Sequence, residues 1–332
     1  MKKSQRLIIP KRSKIHISLN LGKITIQIVH SFHKIVYRFM ELVCSLTIIT
    51  DRWQKSPNMK LGVHNAIFYD RKNISQEFLN DVKTYFHAEL YNVSFDPTEK
   101  IILPSIEEWI AEYTTQQDYN LIGPIRDANG YLQFSMLTFT ACWDTLKTSD
   151  IWDRTFRFKT TYNTVVKMRT FNSKEKIGYF NNSILKYEAI RLPFKNKEFF
   201  MIVLLPYPDQ SLESIKKFSI ADLYQLFEYV SANIEHIDYT IPVMMSTPVF
   251  SLNEKGASIN GDTIVCDSFA ARQTFNETSI NYKPFYVDRP FGLLIYDERT
   301  RYILVHMWVK NPITAFSNPI SYMQWNLFIN NI

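Results

Sequence analysis

Two stretches near the C-terminal end decide the fold: LNEKG at residues 252–256 and FYVDRPFGLLI at residues 285–295. An apolar segment at 248–252 leads into the first stretch, and the second ends in the apolar run at 291–295. Apolar runs of this length are typical of strands. The residues between the two stretches are mostly polar and carry few turn signals. We therefore expect a long exposed loop that connects two strands.

The composition indicates one large folded domain with a separate basic arm. The chain has 332 residues, of which 46% are hydrophobic and 15% aromatic, enough to fill a sizeable core. Residues 1–40 carry nine basic residues and no acidic one, while the remainder holds 29 basic and 32 acidic residues. We expect a solvated basic arm at 1–23, a domain at 24–312 and a tail at 313–332.

The same features bear on the partners and the compartment. No basic face runs along the body, and no apolar run approaches about 18 residues, so neither nucleic acid nor a membrane is an expected partner. The N-terminus shows no secretory apolar region. Three scattered cysteines (Cys44, Cys142 and Cys266) fit free thiols in a reducing compartment. The chain as it stands is expected to be cytoplasmic, or extracellular if its N-terminus is incomplete.

Local patterns predict an α+β chain with mainly antiparallel strands. Helices are expected at 76–86, 105–113, 211–230 and, in part, 24–49. Strands are expected at 61–69, 88–95, 132–143, 160–169, 199–205, 248–252, 291–295 and 302–309. The continuous apolar run at 199–205 is typical of a strand covered on both faces.

No constellation in the sequence points to catalysis, so we expect no enzyme, no cofactor and no metal site. The zinc-protease, paired-cysteine and nucleophile-elbow motifs do not occur. His30 and His33 have a helical spacing but no third ligand nearby in the sequence. The segment GASINGDT at 256–263 approaches a phosphate-binding loop, but Asp262 stands where that loop needs its lysine.

Six short motifs, in order over about residues 28–312, resemble those of the serpin family. They read VHNAIF at 63–68, IEEWI at 106–110, FTACW at 139–143, LPFK at 192–195 with MIVLLP at 201–206, DRPF at 288–291, and IL at 303–304. The resemblance implies a serpin-like α+β fold with mixed, mainly antiparallel sheets and an exposed reactive loop. It also implies a monomer that inhibits serine (or cysteine) proteases as a suicide substrate.

The resemblance assigns roles to particular residues. Glu254, Gly256, Ala257 and Ile259 would form the hinge of the reactive loop, and Trp143 would lie in the breach where the loop begins to enter a sheet. After cleavage the loop inserts as a new strand, which requires every second residue to face the core. Ala257 and Ile259 lie on one such face of the sequence pattern, and Ser258 lies on the other.

The scissile bond has several candidates in the sequence. Counting fifteen residues from Gly256 places the cut between Ala270 and Ala271, a pair that suits an elastase-like protease. A trypsin-like protease would cut between Arg272 and Gln273, because Arg272 is the only basic residue between Lys255 and Lys283. Counting back from the DRPF motif instead gives a point near Ser279.

A second function remains open at this point. Inhibitory serpins carry small residues, mostly alanine, in the hinge, whereas this chain has the bulky Ile259 there. A segment of the family pattern is also missing between 242 and 248. The alternative is a serpin-fold protein that does not inhibit proteases and binds a partner or a ligand.

Overall fold

The structure is a computed structural model. It describes residues 17–19, 24–26, 59–70, 75–95, 102–113, 131–145, 148–150, 156–246, 250–259, 266 and 280–312. Within these ranges no helix combines the length and the apolar character needed to cross a membrane.

A six-stranded sheet carries the first of the two stretches that decide the fold. In spatial order its strands are β13 (Met244–Ser246), β14 (Phe250–Leu252), β15 (Gly256–Ile259), β5 (Tyr131–Cys142), β3 (Met59–Tyr69) and β4 (Glu89–Asn92). Neighbouring strands are antiparallel except β3 and β4, which are parallel. The long central pair β3–β5 keeps one register from Met59 opposite Ala141 to Tyr69 opposite Tyr131.

An eight-stranded sheet carries the second stretch. Its path runs through β16 (Lys283–Tyr286), β12 (Ile234–Pro242), β9 (Thr170–Asn182), β10 (Tyr187–Pro193), β11 (Phe199–Pro206), β17 (Phe291–Asp297) and β18 (Ile303–Val309), and β6 (Thr148–Asp150) pairs with β9. Two further hairpins join β1 (Ile17–Leu19) to β2 (Ile24–Ile26) and β7 (Phe156–Lys159) to β8 (Val165–Met168).

The main core lies between the two large sheets. Strand β11 is buried along its whole length, as the continuous apolar run predicted. Met201 and Val203 point into the core that also holds residues of the six-stranded sheet, such as Phe139. Ile202 and Leu204 point to the other face, against the helix described next. Because alternate side chains of β11 point to opposite faces, this strand contributes to the cores on both sides of the eight-stranded sheet.

Three helices cover these sheets within the described residues: α1 (Gln76–Phe86), α2 (Ile102–Tyr113) and α3 (Ile220–Ala232). Helix α1 has its predicted bounds. Helix α2 begins three residues before the predicted Ser105 and packs Ile106 and Trp109 on the six-stranded sheet. Helix α3 packs Leu226 and Phe227 on the eight-stranded sheet.

The single helix predicted at 211–230 is wrong. The structure has a 3-10 helix at Leu212–Ser214, a break, and then α3 from Ile220. Ser219 starts the new helix with a reciprocal capping box: its hydroxyl accepts from the Asp222 amide, and the Asp222 carboxylate accepts from the Ser219 amide. A capping box satisfies two backbone donors and fixes a helix start there. The apolar spacing continued across the break and hid it.

Two other predictions of local structure are corrected. Residues 160–169 form a turn followed by β8 rather than one strand, because Asn163 adopts a left-handed backbone conformation with φ 57°. The Thr160 and Thr164 hydroxyls are hydrogen-bonded across that turn at 2.6 Å. Residues 24–26, at the start of the range expected to be helical in part, form strand β2.

Candidate functional site

The first four residues of the predicted loop are a buried strand. β15 lies between β14 and β5, with Gly256 opposite Cys142 and Ile259 opposite Phe139. All four residues of β15 are buried. The loop predicted to be exposed therefore begins with a buried segment, in which Ala257 and Ile259 point into the main core.

The turn that enters β15 is built by Asn253, a residue that the sequence analysis did not single out. Its side-chain oxygen accepts hydrogen bonds from the amides of Lys255 (2.8 Å) and Gly256 (3.3 Å). Its own amide donates to the Gly256 carbonyl at 3.0 Å. Asparagine favours turns because its side chain accepts hydrogen bonds from backbone amides two or three residues further along the chain. Asn253 in LNEKG could therefore have been recognised from the sequence as a turn residue.

Gly256 is required by the close approach of β5. A Cβ atom at this position would lie 2.0 Å from the carbonyl oxygen of Ala141, far inside any real contact. Glu254, the charged member of the predicted hinge, lies beside Arg169 with a nitrogen–oxygen distance of 3.8 Å. This distance makes an ion pair and is too long for a hydrogen bond.

Trp143 joins the hinge to both large sheets. Its indole N–H donates to the Asn253 carbonyl at 2.8 Å, and its amide donates to the Lys255 carbonyl at 3.0 Å. The ring is fully buried and stacks on Phe194, with centroids 4.8 Å apart and planes 5° apart. Because Phe194 directly follows β10 of the eight-stranded sheet, Trp143 fixes the end of β5 against that sheet.

Cys142 and Cys266 form a disulfide with a Cα–Cα distance of 5.9 Å. The expectation of three free thiols is therefore wrong. The two cysteines are 124 residues apart in sequence, and only the antiparallel pairing of β15 with β5 places Cys142 next to the start of the loop. Cys142 is buried, whereas Cys266 is partly exposed and its sulfur lies 3.5 Å from the Lys255 carbonyl oxygen.

The far end of the loop reaches the other large sheet. After residue 280 the chain enters β16, which pairs in parallel with β12 at the edge of the eight-stranded sheet. Just beyond it, the Arg289 Nε donates to the Pro206 carbonyl at 2.7 Å, and its guanidinium pairs with Asp288 at 2.7 Å. The scissile-bond candidates Ala270, Ala271, Arg272 and Gln273 lie outside the described residues, as does Ser279.

A polar cluster under α2 sits on the six-stranded sheet. Glu89 on β4 accepts hydrogen bonds from the hydroxyls of Tyr91 and Tyr113, both at 2.6 Å. Burial alone would raise the pKa of Glu89, but these hydrogen bonds outweigh it and lower that pKa. The His64 ring stacks on Tyr113 at 3.8 Å and contacts the Thr138 hydroxyl at 3.1 Å.

The charge of His64 in this cluster is controlled mainly by burial. Desolvation disfavours the imidazolium form and lowers the pKa of His64, and the nearby Glu89 charge only partly opposes this. His64 is on β3 and Thr138 is on β5, so the cluster holds α2 across the two central strands of the sheet.

The sequence of this chain matches a family model described as Serpin (serine protease inhibitor) over residues 12–221. It is 24% identical over 213 residues to human Serpin B10, a match that covers 63% of this chain and 52% of that protein. It is 23% identical over 213 residues to human Serpin I2, covering 61% of this chain and 49% of that protein. The chain thus spans about half the length of the curated relatives it matches.

Solved structures resemble the fold of most of this chain. Human thyroxine-binding globulin matches with a TM-score of 0.64 and 16% identity, covering 85% of this chain and 83% of its own. A loop-inserted structure of a cleaved ovalbumin mutant also matches with a TM-score of 0.64 and 16% identity, covering 82% and 80%. At this identity the likeness shows the fold alone, and it confirms the α+β fold that the sequence motifs implied.

Proposed function

Because the chain belongs to the serpin family, we propose that it inhibits serine-type endopeptidases as a suicide substrate through the loop that follows Gly256. The observation that carries the proposal is β15, a loop segment that already pairs as a strand between β14 and β5. A sheet that accepts four residues of the loop in register can extend the same pairing.

The side chains of β15 support this extension. Ile259, whose bulk was the sequence-based objection to insertion, is 3% exposed and packs in the main core. On the opposite face the Ser258 hydroxyl is hydrogen-bonded to Thr140 at 3.2 Å. Each face of β15 thus finds a partner of matching polarity, which sheet pairing requires.

In the proposed mechanism the protease binds the loop as a substrate. A protease attacks a bond after Cys266, either Ala270–Ala271 or Arg272–Gln273, and forms an acyl-enzyme. The cut frees the upstream arm of the loop, which continues into the sheet from Ile259 and carries the protease with it. In this mechanism Glu254, Gly256, Ala257 and Ile259 are the hinge, Trp143 anchors the breach, and the chain supplies no catalytic group.

A second candidate is a serpin-fold protein that binds a ligand without inhibiting a protease. Its support is the structural likeness to thyroxine-binding globulin, whose structure holds bound thyroxine. In this chain an apolar recess lies between β11, β18 and the start of α3, lined by Leu204, Ile215, Phe218 and Trp308 among others. Its volume of about 10 Å³ has room for about one water molecule, so this recess as it stands does not hold a larger ligand.

The test mixes the purified chain with an elastase-like and, separately, a trypsin-like serine protease. Each reaction is run on the untreated protein and on protein reduced with dithiothreitol, and the products are separated on a denaturing gel. The proposal expects a band at the summed mass that survives denaturation. Ala270→Glu should remove the band formed with the elastase-like protease, and Arg272→Glu should remove that formed with the trypsin-like protease.

Each of these variants is the matched control for the other protease, because each changes only one candidate bond. Cleavage in both redox states with no covalent band from either protease would contradict the inhibitor and favour the ligand-binding alternative.

A further inference from the structure

We propose that the Cys142–Cys266 disulfide is a redox lock that stops the loop from completing its insertion, and that reduction releases it. The inference rests on the proposed function, because it concerns the same loop insertion. It goes beyond that function by making inhibition conditional on the state of one covalent bond.

The register of β15 shows why the lock holds. Gly256 lies opposite Cys142, and each further residue of β15 lies opposite the preceding residue of β5. Continued insertion in this register would bring Cys266 opposite Leu132. Leu132 is ten residues along β5 from Cys142, a distance of about 33 Å in a strand. The disulfide instead holds the two cysteine Cα atoms 5.9 Å apart, so it excludes the fully inserted state.

The disulfide also limits partial insertion. The chain from Gly256 to Cys266 leaves the Cys142 end of β5 and must return to it. A tether of ten residues that runs out and back can follow β5 for only about five positions, given the reach of an extended chain. The four residues of β15 are therefore close to the greatest insertion that the oxidised chain allows.

The scissile-bond candidates lie on the far side of the lock. Ala270, Ala271 and Arg272 all follow Cys266 in sequence, so a cut at either bond leaves the disulfide on the arm that has to insert. The oxidised chain would then keep the acyl-enzyme at the rim of the sheet. Water would hydrolyse the ester, releasing active protease and a cleaved chain. The oxidised form is thus a substrate, and the reduced form is the inhibitor.

The exposure of the two sulfurs defines the chemistry of release. Cys142 is 1% exposed, whereas Cys266 is partly exposed, so a thiolate reaches the Cys266 sulfur first. Attack by one thiolate of a dithiol forms a mixed disulfide on Cys266 and expels the Cys142 thiolate, which takes up a proton. The second thiol of the dithiol then displaces Cys266 as a thiol. Two electrons and two protons pass to the protein, and the dithiol leaves as a cyclic disulfide.

The test compares the thermal unfolding midpoint before and after loop cleavage in the oxidised chain, in the chain kept in dithiothreitol, and in Cys266→Ser. Cys266→Ser is preferred to Cys142→Ser because Cys142 is buried. Cys44→Ser is the matched control, since it removes a cysteine and keeps both Cys142 and Cys266. Peptide mapping without reduction first checks that the Cys142–Cys266 bond is present.

We expect cleavage to raise the midpoint in the reduced chain and in Cys266→Ser, and to leave it unchanged in the oxidised chain and in oxidised Cys44→Ser. Adding dithiothreitol to the cleaved oxidised chain should then raise its thermal unfolding midpoint to that of the cleaved reduced chain. An equal rise in the oxidised chain would overturn the lock and leave the inhibitor standing. No rise in any form would overturn loop insertion, and the lock with it. Absence of the Cys142–Cys266 peptide would overturn the lock alone.

Discussion

Trp143 donates its indole N–H to the backbone carbonyl of Asn253 across 2.8 Å. The same tryptophan stacks on Phe194 of the other sheet. One side chain thus couples the turn that starts the loop to the packing between the two large sheets. Both the movement of the loop into the sheet and the stability of the fold therefore depend on this contact.

Replacing Trp143 with phenylalanine should keep much of the ring stacking and remove the donor. The partly buried Asn253 carbonyl then loses its indole partner, which costs about 1 kcal/mol. Urea unfolding should show a loss of that size in the free energy of unfolding. Tyr162→Phe is the control because Tyr162 is 71% exposed; an equal loss in both variants would contradict the role of Trp143.

Gly256→Ala should expel β15 from the sheet, because the new Cβ would lie 2.0 Å from the Ala141 carbonyl oxygen. We expect a loss of about 2 kcal/mol or more in the free energy of unfolding. Limited proteolysis should also cut the hinge earlier in time than in the unchanged chain. The neighbouring Lys255 is exposed, and Lys255→Ala should show neither effect. A Gly256→Ala chain as stable as the parent would refute the close packing of β15 on β5.

Ile259→Asp should separate loop cleavage from loop insertion. A carboxylate at this position would be buried in the main core without a partner, at a cost on the order of 3 kcal/mol. The protease should still cut the loop, but the covalent band should be lost even in the reduced chain. Ile259→Val keeps the shape, should cost about 1 kcal/mol, and should keep the band. Complex formation by Ile259→Asp would be incompatible with insertion along the core face.

The stability of the chain should fall as the pH drops below 6.5, through His64. The unfolded imidazole titrates near 6.5, and burial holds the folded pKa below that value. Between the two values the unfolded state binds a proton that the folded state does not, so lower pH favours unfolding until the folded pKa is reached. Urea unfolding from pH 7.5 to 5.5 should show this slope, and His64→Asn should reduce it. Glu89, whose pKa is lowered in the folded state, should also make the chain less stable as the pH falls, at more acidic pH than His64.

The elements that the sequence predicted well are those in which one local pattern dominates. The apolar run of β11 and the bounds of α1 required no knowledge of distant residues. The break before α3 was hidden because apolar spacing continued through it, although the Ser219 and Asp222 capping pair was readable. Periodicity thus identified the buried face and did not show where the backbone changed direction.

The candidate site depends on long-range pairing that local sequence patterns do not predict. Gly256, Ala257, Ile259 and Trp143 could be named from sequence motifs, yet the disulfide could not. Cys142 and Cys266 become neighbours only when β15 pairs antiparallel to β5 and the chain returns toward its start. That arrangement depends on a register between strands more than a hundred residues apart, which the spacing of cysteines does not encode.

Hydrogen exchange along β5, read before and after loop cleavage of the reduced chain, tests the central claim most directly. In the uncleaved chain the pairing of β15 with β5 ends at Phe139, whereas β3 pairs with β5 as far as Tyr131. If the cleaved loop becomes a full strand, the amides of β5 at 131–138 that point away from β3 should exchange markedly more slowly after the cut, while those that point toward β3 stay unchanged. Unchanged exchange at both sets of amides would contradict insertion and with it the proposed inhibition.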